Sequence, residues 1–143
     1  MLPDIWGKHA WNFLHLVTMA YPENPTQYDK EKYHNFFDSI KYILPCEKCR
    51  NNMGSHLKKY PLTETVLSSR KMLVKWLIDL HNVVNYYTGK DMLSYNEALS
   101  EMKKLTNPTN DKTDYFVMGI FLIAVIIVIF WIYYFASAKN LSR

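Results

Sequence analysis

Cys46 and Cys49 are the two cysteines of this 143-residue sequence, and they form a C-x-x-C pair in "LPCEKC". A structural zinc site needs four protein ligands, and a c-type haem attachment needs His where this chain has Arg50. A disulfide scaffold would need more cysteines in a shorter chain. The pair is therefore interpreted as a redox dithiol.

The sequence around the pair favours reactive sulfur. Pro45 places the two cysteines at the predicted start of a helix, where free backbone N–H groups and the helix dipole favour a thiolate. Lys48 and Arg50 add positive charge nearby. Because thiolate is the nucleophile of disulfide exchange, this environment suits redox chemistry. A thioredoxin-type domain is a poor match, since the sequence has no βαβ pattern.

Two segments rich in aromatic residues offer places for the electron acceptor that net disulfide formation requires. In "WGKHAWNFLH", Trp6 precedes Trp11 and His15, which lie four residues apart on one helix face. In "WLIDLHNVVN", His81 and Asn85 have the same spacing. Each residue alone is more simply explained by core packing or helix-surface exposure. Their coincidence with the C-x-x-C pair indicates a site for a flat aromatic cofactor.

The first 105 residues are predicted to form an all-α domain, a four-helix bundle with a short fifth helix. Apolar residues recur at helical spacing, and proline or glycine falls between the periodic segments. Ser68 or Ser69 is a plausible N-cap, Gly89 a stop signal, and Ser94 with Glu97 a capping box. The predicted helices cover about 5–20, 29–44, 46–59, 69–88 and 94–105.

A polar linker over 106–114 leads to an uncharged segment, 115–138, followed by a short tail, 139–143. As a helix, those uncharged residues reach about 36 Å, which exceeds the roughly 30 Å of a hydrocarbon core. A small domain could not surround so long an apolar helix. With no N-terminal signal peptide pattern, we expect a tail-anchored, single-pass membrane protein whose domain lies in the cytosol.

The formal charge of +4 gives little support for a nucleic-acid role. Residues 1–138 carry 15 Lys and Arg against 13 Asp and Glu. No basic cluster with interleaved aromatic residues follows one face. Nucleic acid is therefore excluded as a partner.

Four segments in order, "WGKHAWNFLH", "YPENPT", "LPCEKC" and "WLIDLHNVVNYYTGK", resemble the FAD-linked sulfhydryl oxidases of the Erv/ALR family. The small size and missing accessory cysteines are similar to the versions carried by large cytoplasmic DNA viruses, which would place the anchor in a host or virion membrane. The resemblance implies noncovalent FAD and a homodimer through the first two helices, where Tyr33, Phe36 and Phe37 offer apolar surface.

The resemblance also implies an activity: thiol oxidation that makes disulfides in partner proteins and passes electrons through FAD to O₂, giving H₂O₂. Cys46 is implied to exchange with substrate and Cys49 to lie against the isoalloxazine ring. No metal is implied. The implied FAD contacts are Gly7, Lys8, Trp11, His15, Cys49, His81, Asn82, Val84, Asn85 and Lys90.

The sequence departs from the family pattern in three places. Ile78 and Tyr95 stand where many members carry a second disulfide, so apolar packing is expected to replace it. Without a shuttle disulfide, substrates must reach Cys46 directly or through a thioredoxin-like carrier protein, and the carrier is favoured. Asp91 replaces the proline of the family's "GKP", which leaves the contacts to the far end of FAD least defined.

Three other hypotheses fit parts of the sequence. A flavin-free membrane adaptor would be colourless. A homodimer with one C-x-x-C per chain could bind zinc through four cysteines and would lack flavin. A flavin-free disulfide isomerase would need no electron acceptor. None of them explains the two aromatic segments beside the C-x-x-C pair.

Overall fold

The computed structural model describes the backbone of residues 1–107 and 111–141, and side chains over 1–107 and 115–134. This part of the chain is helical and contains no strand, which confirms the predicted all-α class with a short fifth helix and a C-terminal apolar helix. A 3₁₀ turn at Val66–Ser68 precedes the fourth helix. The helices are α1 (Pro3–Met19), α2 (Gln27–Ile43), α3 (Glu47–Lys59), α4 (Arg70–Thr88), α5 (Tyr95–Thr106) and α6 (Asp111–Leu141).

The predicted capping residues and the predicted glycine stop are found at α4 and α5. The Ser69 hydroxyl caps α4, and Gly89 ends it in the left-handed conformation, with a φ of 69°. That φ favours glycine because a Cβ would crowd the backbone there. Ser94 and Glu97 form the expected capping box at the start of α5.

Two helices begin slightly earlier than the apolar pattern predicts. At α2, the Thr26 hydroxyl accepts the Asp29 N–H while the Asp29 carboxylate accepts the Thr26 N–H, so the capping box sets the start at Gln27. At α1, Pro3 occupies the first turn, where its missing N–H costs nothing. Capping chemistry, more than apolar periodicity, fixes these ends.

α1 packs on α4 and α5, and α2 packs on α3, around one apolar core. Phe37, Leu73 and Leu77 are fully buried in it. The burial of Phe37 corrects the expectation that this ring offers dimer surface. Tyr33 and Phe36 also pack against the core and are partly buried. The face of α2 predicted as apolar surface thus forms the interior of the bundle.

Ile78 and Tyr95, the positions at which apolar packing is expected to replace a second disulfide, belong to a smaller apolar cluster between α4 and α5. Ile78 is buried together with Val74, Ala98 and Met102, and Tyr95 packs against this group. The cluster holds α5 on α4 by apolar contact, as expected from the sequence.

α6 belongs to a unit separate from Met1–Asn107. It contains Tyr115–Tyr134, a 20-residue span long and apolar enough to cross a membrane. The helix begins at Asp111, inside the segment predicted as a linker, and it extends past the predicted anchor. Residues 108–110 of the predicted linker and 142–143 of the predicted tail lie outside the described residues.

Candidate functional site

The two cysteines lie at the N-terminus of α3 and form a disulfide, with a Cα–Cα distance of 5.1 Å. Cys46 is the N-cap, and its sulfur accepts a hydrogen bond from the backbone N–H of Cys49, 3.2 Å away. Both side chains are partly buried. Because the helix dipole and a backbone N–H stabilise negative charge at this end, either sulfur is a favourable leaving thiolate.

α3 presents two different faces beyond the disulfide. Cys49, Met53 and His56 follow one another at helical spacing and line a cleft between α1, α3 and α4. Arg50, Gly54 and Lys58 occupy another face, which borders a groove against α2. Cys46 lies one turn before Arg50 and outside the lining of the cleft. The cleft therefore contacts the disulfide through Cys49.

The cleft has a volume of about 470 Å³ and is bounded mostly by apolar and aromatic side chains. It includes eight of the ten positions that the sequence assigns to cofactor binding. Cys49 lies at the α3 side, and the other predicted residues come from α1, from α4 and, for Lys90, from the loop just after α4. The eight are Gly7, Lys8, Trp11, Cys49, His81, Val84, Asn85 and Lys90.

The two remaining predicted residues, His15 and Asn82, line a smaller cavity of about 240 Å³ where α5 meets α1 and α4. Lys8, His81 and Asn85 line both cavities. The Asn82 side chain bonds the backbone of Leu93 twice, donating to its carbonyl at 2.8 Å and accepting its N–H at 3.0 Å. Its first role is thus to fix the loop between α4 and α5.

Three rings form a compact cluster at the boundary of the two cavities. Trp11 stacks on His81 with ring centroids 4.0 Å apart and an interplanar angle of 9°. Nε2 of His15 and Nδ1 of His81 are 3.0 Å apart, so one imidazole donates a hydrogen bond to the other. This sharing requires at least one neutral ring.

Burial lowers the pKa of both histidines. The pKa of His15 falls to about 4 because its imidazole is desolvated. The pKa of His81 falls to about 4, again chiefly by desolvation, with smaller contributions from His15 and Lys90. Both rings are therefore neutral at neutral pH, and they add polarity without charge where the two cavities meet.

The cleft fits a flat aromatic group that accepts hydrogen bonds. Trp6, which lines it, holds a buried indole N–H that finds no hydrogen-bond partner among the described residues. Nδ1 of the buried His15 is likewise unpartnered within residues 1–107. Buried polar atoms normally have partners, so these two indicate a missing ligand. A Cβ added at Gly7 would meet open space, so glycine leaves room at the cleft wall.

Sequence reasoning missed several lining residues on the same helices. His56 lies two turns after Cys49 on one face, is 9% exposed, and contacts the ring of Tyr87 at a centroid distance of 5.3 Å. Helical spacing from Cys49 was a usable signal for His56. The missed lining residues are Pro3, Ala10, Asn12, Leu14, Ile40, Leu44, Lys48, Asn52, Met53, His56, Tyr87 and Thr88.

The chain belongs to the Erv1 / Alr family, whose model matches residues 8–105. It is 57% identical over 108 residues to a probable FAD-linked sulfhydryl oxidase of Acanthamoeba polyphaga mimivirus, covering 76% of each chain. It is 33% identical over 114 residues to the FAD-linked sulfhydryl oxidase of African swine fever virus, covering 77% of this chain and 92% of that one. The expected resemblance to proteins of large DNA viruses is confirmed.

Solved structures agree with this assignment. The FAD binding domain of Erv1 from Saccharomyces cerevisiae matches with a TM-score of 0.65 and 26% identity, covering 73% of this chain and 96% of that domain. The likeness covers the helical unit that contains the cleft. Fold, family and site therefore point to the same class of redox protein.

Proposed function

We propose that this protein is an FAD-linked sulfhydryl oxidase that makes disulfides in partner proteins. The observation that carries the proposal is the Cys46–Cys49 disulfide, whose second cysteine lines an aromatic cleft that also contains the unpartnered indole N–H of Trp6. Without an electron acceptor, the disulfide could oxidise one substrate dithiol and would then remain reduced. The cleft supplies a place for the cofactor that restores the disulfide after each exchange.

Disulfide exchange at this pair follows from the position of the two sulfurs. A substrate thiolate attacks Cys46, the sulfur outside the cleft, which forms a mixed disulfide and releases Cys49 as a thiolate. A second substrate thiolate attacks the mixed disulfide and releases Cys46, so the substrate leaves oxidised and the pair holds two more electrons. The helix N-terminus stabilises the leaving thiolate in both steps.

FAD would be held by the aromatic walls and polar groups of the two cavities. When bound, it accepts two electrons from the dithiol and passes them to O₂, which gives H₂O₂. We assign its binding to the predicted set Gly7, Lys8, Trp11, His15, Cys49, His81, Asn82, Val84, Asn85 and Lys90. No metal takes part in this assignment.

The His15–His81 pair has a defined role in this site. Its neutral rings lie where the two cavities meet and place no positive charge beside Trp11, and the shared hydrogen bond fixes both ring orientations. Asn82 and Asn85 hold the following loop through bonds to Leu93 and Asp91, which positions Lys90 at the edge of the cleft. These hydrogen bonds within the protein thus fix the loop that carries Lys90.

Anchoring and assembly complete the proposal. α6 would place the oxidase on a host or virion membrane, because none of its 20-residue apolar span is buried in protein. The catalytic domain would lie on the cytosolic side. The protein would act as a homodimer through α1 and α2, where Phe13 and Tyr28 are exposed. A thioredoxin-like carrier protein would deliver electrons to Cys46.

The test is the visible absorption spectrum of the full chain in neutral detergent, before and after anaerobic addition of dithiothreitol. A yellow protein that bleaches with dithiol and regains colour in air with release of H₂O₂ supports the oxidase. A colourless protein that still dimerises would instead support the membrane adaptor. Stoichiometric zinc without flavin would support the metal-bridged dimer.

A further inference from the structure

A second concavity lies beside the disulfide, between α2 and α3. It is an open groove of about 520 Å³ and shares no lining residue with the aromatic cleft. Its polar rim includes Asp38 and Lys41 from α2, and Arg50 and Lys58 from α3. None of these residues belongs to the set assigned to FAD binding, so the groove has no role in the redox centre.

The groove begins at Arg50, one helical turn after the exchanging sulfur of Cys46. Cys46, Arg50, Gly54 and Lys58 are spaced four residues apart, so they form one i+4 ridge that winds along α3 from its N-cap to its last turn. The three that follow Cys46 all line the groove. A polypeptide lying along this ridge would therefore lead its own cysteine to Cys46.

α3 is a basic helix, and two of its cations, Arg50 and Lys58, line the groove. α3 carries four Lys and Arg against one Glu, whereas the remainder of residues 1–107 carries ten of each sign. The whole net charge of this unit thus resides on the helix that starts at the disulfide. Lys41 pairs with Asp38 at 2.6 Å, whereas Lys58 forms no ion pair within the described residues. Lys58 is thus available to a partner's carboxylate.

Gly54, in the middle of α3, has no other evident reason to be glycine. Its backbone is helical without positive φ, and a Cβ built there would meet no atom within 4 Å. Glycine in a helix interior costs about 1 kcal/mol relative to alanine. Gly54 lines the groove, so the missing side chain deepens it.

We propose that the α2–α3 groove is the docking site for the protein substrate, and that it binds an extended acidic segment adjoining the substrate's cysteine pair. The inference rests on the proposed oxidase function and names its substrate class. Carboxylates of that segment pair with Lys58 and the neighbouring cations while its backbone lies over Gly54. Docking then presents a substrate thiolate to Cys46.

The test uses the full flavin-loaded chain in neutral detergent and two synthetic peptides. Each peptide carries one Cys-Gly-Gly-Cys segment, flanked by glutamates in one and by glutamines in the other. Oxidation is followed by H₂O₂ release, and binding by fluorescence anisotropy of labelled versions with serine in place of cysteine. The glutamate peptide is expected to bind more tightly and to show a lower KM. Added salt should weaken this preference by screening.

Two variants locate the preference on the groove. Lys58→Glu should weaken binding of the glutamate peptide and raise its KM about fivefold, the scale of one partly exposed ion pair. Gly54→Met should raise KM for both peptides by filling the groove. The matched control is Lys32→Glu, which makes the same charge change nine residues from Lys41, on the opposite face of α2. Turnover of dithiothreitol should stay unchanged in all three.

The outcomes separate this inference from the proposed function. If the wild type fails to oxidise dithiothreitol, the oxidase proposal fails, while anisotropy still reports docking. If dithiothreitol is oxidised but the two peptides bind alike, or if Lys58→Glu matches Lys32→Glu, the acidic docking site is overturned. If Gly54→Met changes the oligomeric state in ultracentrifugation without changing peptide binding, the groove is a contact between copies, which also overturns it.

Discussion

The two faces of α3 differ in burial and in the side chains that surround them. On the cleft face, Cys49 is followed by Met53 and His56, which are buried, and by aromatic rings from α1 and α4. On the groove face, Arg50 and Lys58 contact solvent beside a glycine. One helix thus separates a largely aromatic and apolar cleft suited to a cofactor from a polar groove suited to a protein. The disulfide at its N-terminus connects the two.

The largest effect is expected from removing the sulfur on the cleft face. Cys49→Ser should abolish turnover of any dithiol, down to the background of free flavin, because a serine hydroxyl cannot re-form the disulfide with Cys46. H₂O₂ release measures the loss. Bound flavin, measured by absorbance after gel filtration, should remain, because Cys49 is one of many lining residues. Turnover close to the wild type would contradict the assigned role of Cys49.

Packing should also distinguish the two faces. Met53→Ala should lower the free energy of unfolding by about 2–4 kcal/mol, since Met53 is 7% exposed and belongs to the main core. The matched change Asn51→Ala, at an exposed position bordering the groove, should stay within about 0.5 kcal/mol. Urea unfolding measures both. Equal losses would show that the groove face is packed as tightly as the cleft face.

Acid should destabilise the cleft through its two histidines. Their pKa values are about 4 in the folded protein against 6.5 ordinarily, so the unfolded chain binds more protons between these limits. The free energy of unfolding should therefore have its full histidine contribution above about pH 6.5. It should decrease as pH falls toward 4, by on the order of 3 kcal/mol for each histidine.

Urea unfolding across this range tests the histidine prediction. His15→Gln should flatten the pH dependence, because it removes one titrating ring and breaks the bond to His81. His34→Gln removes an exposed imidazole from α2 and serves as the control. If His34→Gln reduced the dependence of the free energy of unfolding on pH and His15→Gln did not, the acid sensitivity would not come from the buried histidine pair. The prediction would then be wrong.

The smallest effect concerns the glycine of the groove face. Gly54→Ala should raise the free energy of unfolding by up to about 1 kcal/mol, because alanine restricts the unfolded chain and its Cβ meets open space. Gly89→Ala should instead lower it by about 1 kcal/mol, since Gly89 has a φ of 69°. Thermal unfolding compares the two. A loss at Gly54 would mean that packing, not an open groove, requires this glycine.

The sequence alone determined the helices and the chemistry of the cysteine pair. Proline, glycine and capping residues act over three or four positions, so Gly89 and the Ser94–Glu97 box could be recognised without a fold. The C-x-x-C spacing likewise joins residues one helical turn apart. Ordered family motifs then supplied the set of cofactor residues, eight of which the structure brings to one cleft.

Tertiary packing decided what no local pattern contains. Which face of α2 turns inward depends on α3 and α4, so Phe37 proved to be core although its spacing also suited a surface. The contact of His15 with His81 spans 66 residues, and its effect on both pKa values comes from burial that only the assembled bundle creates. The groove near Cys46 exists because α2 packs against α3 beside Gly54, which has no side chain.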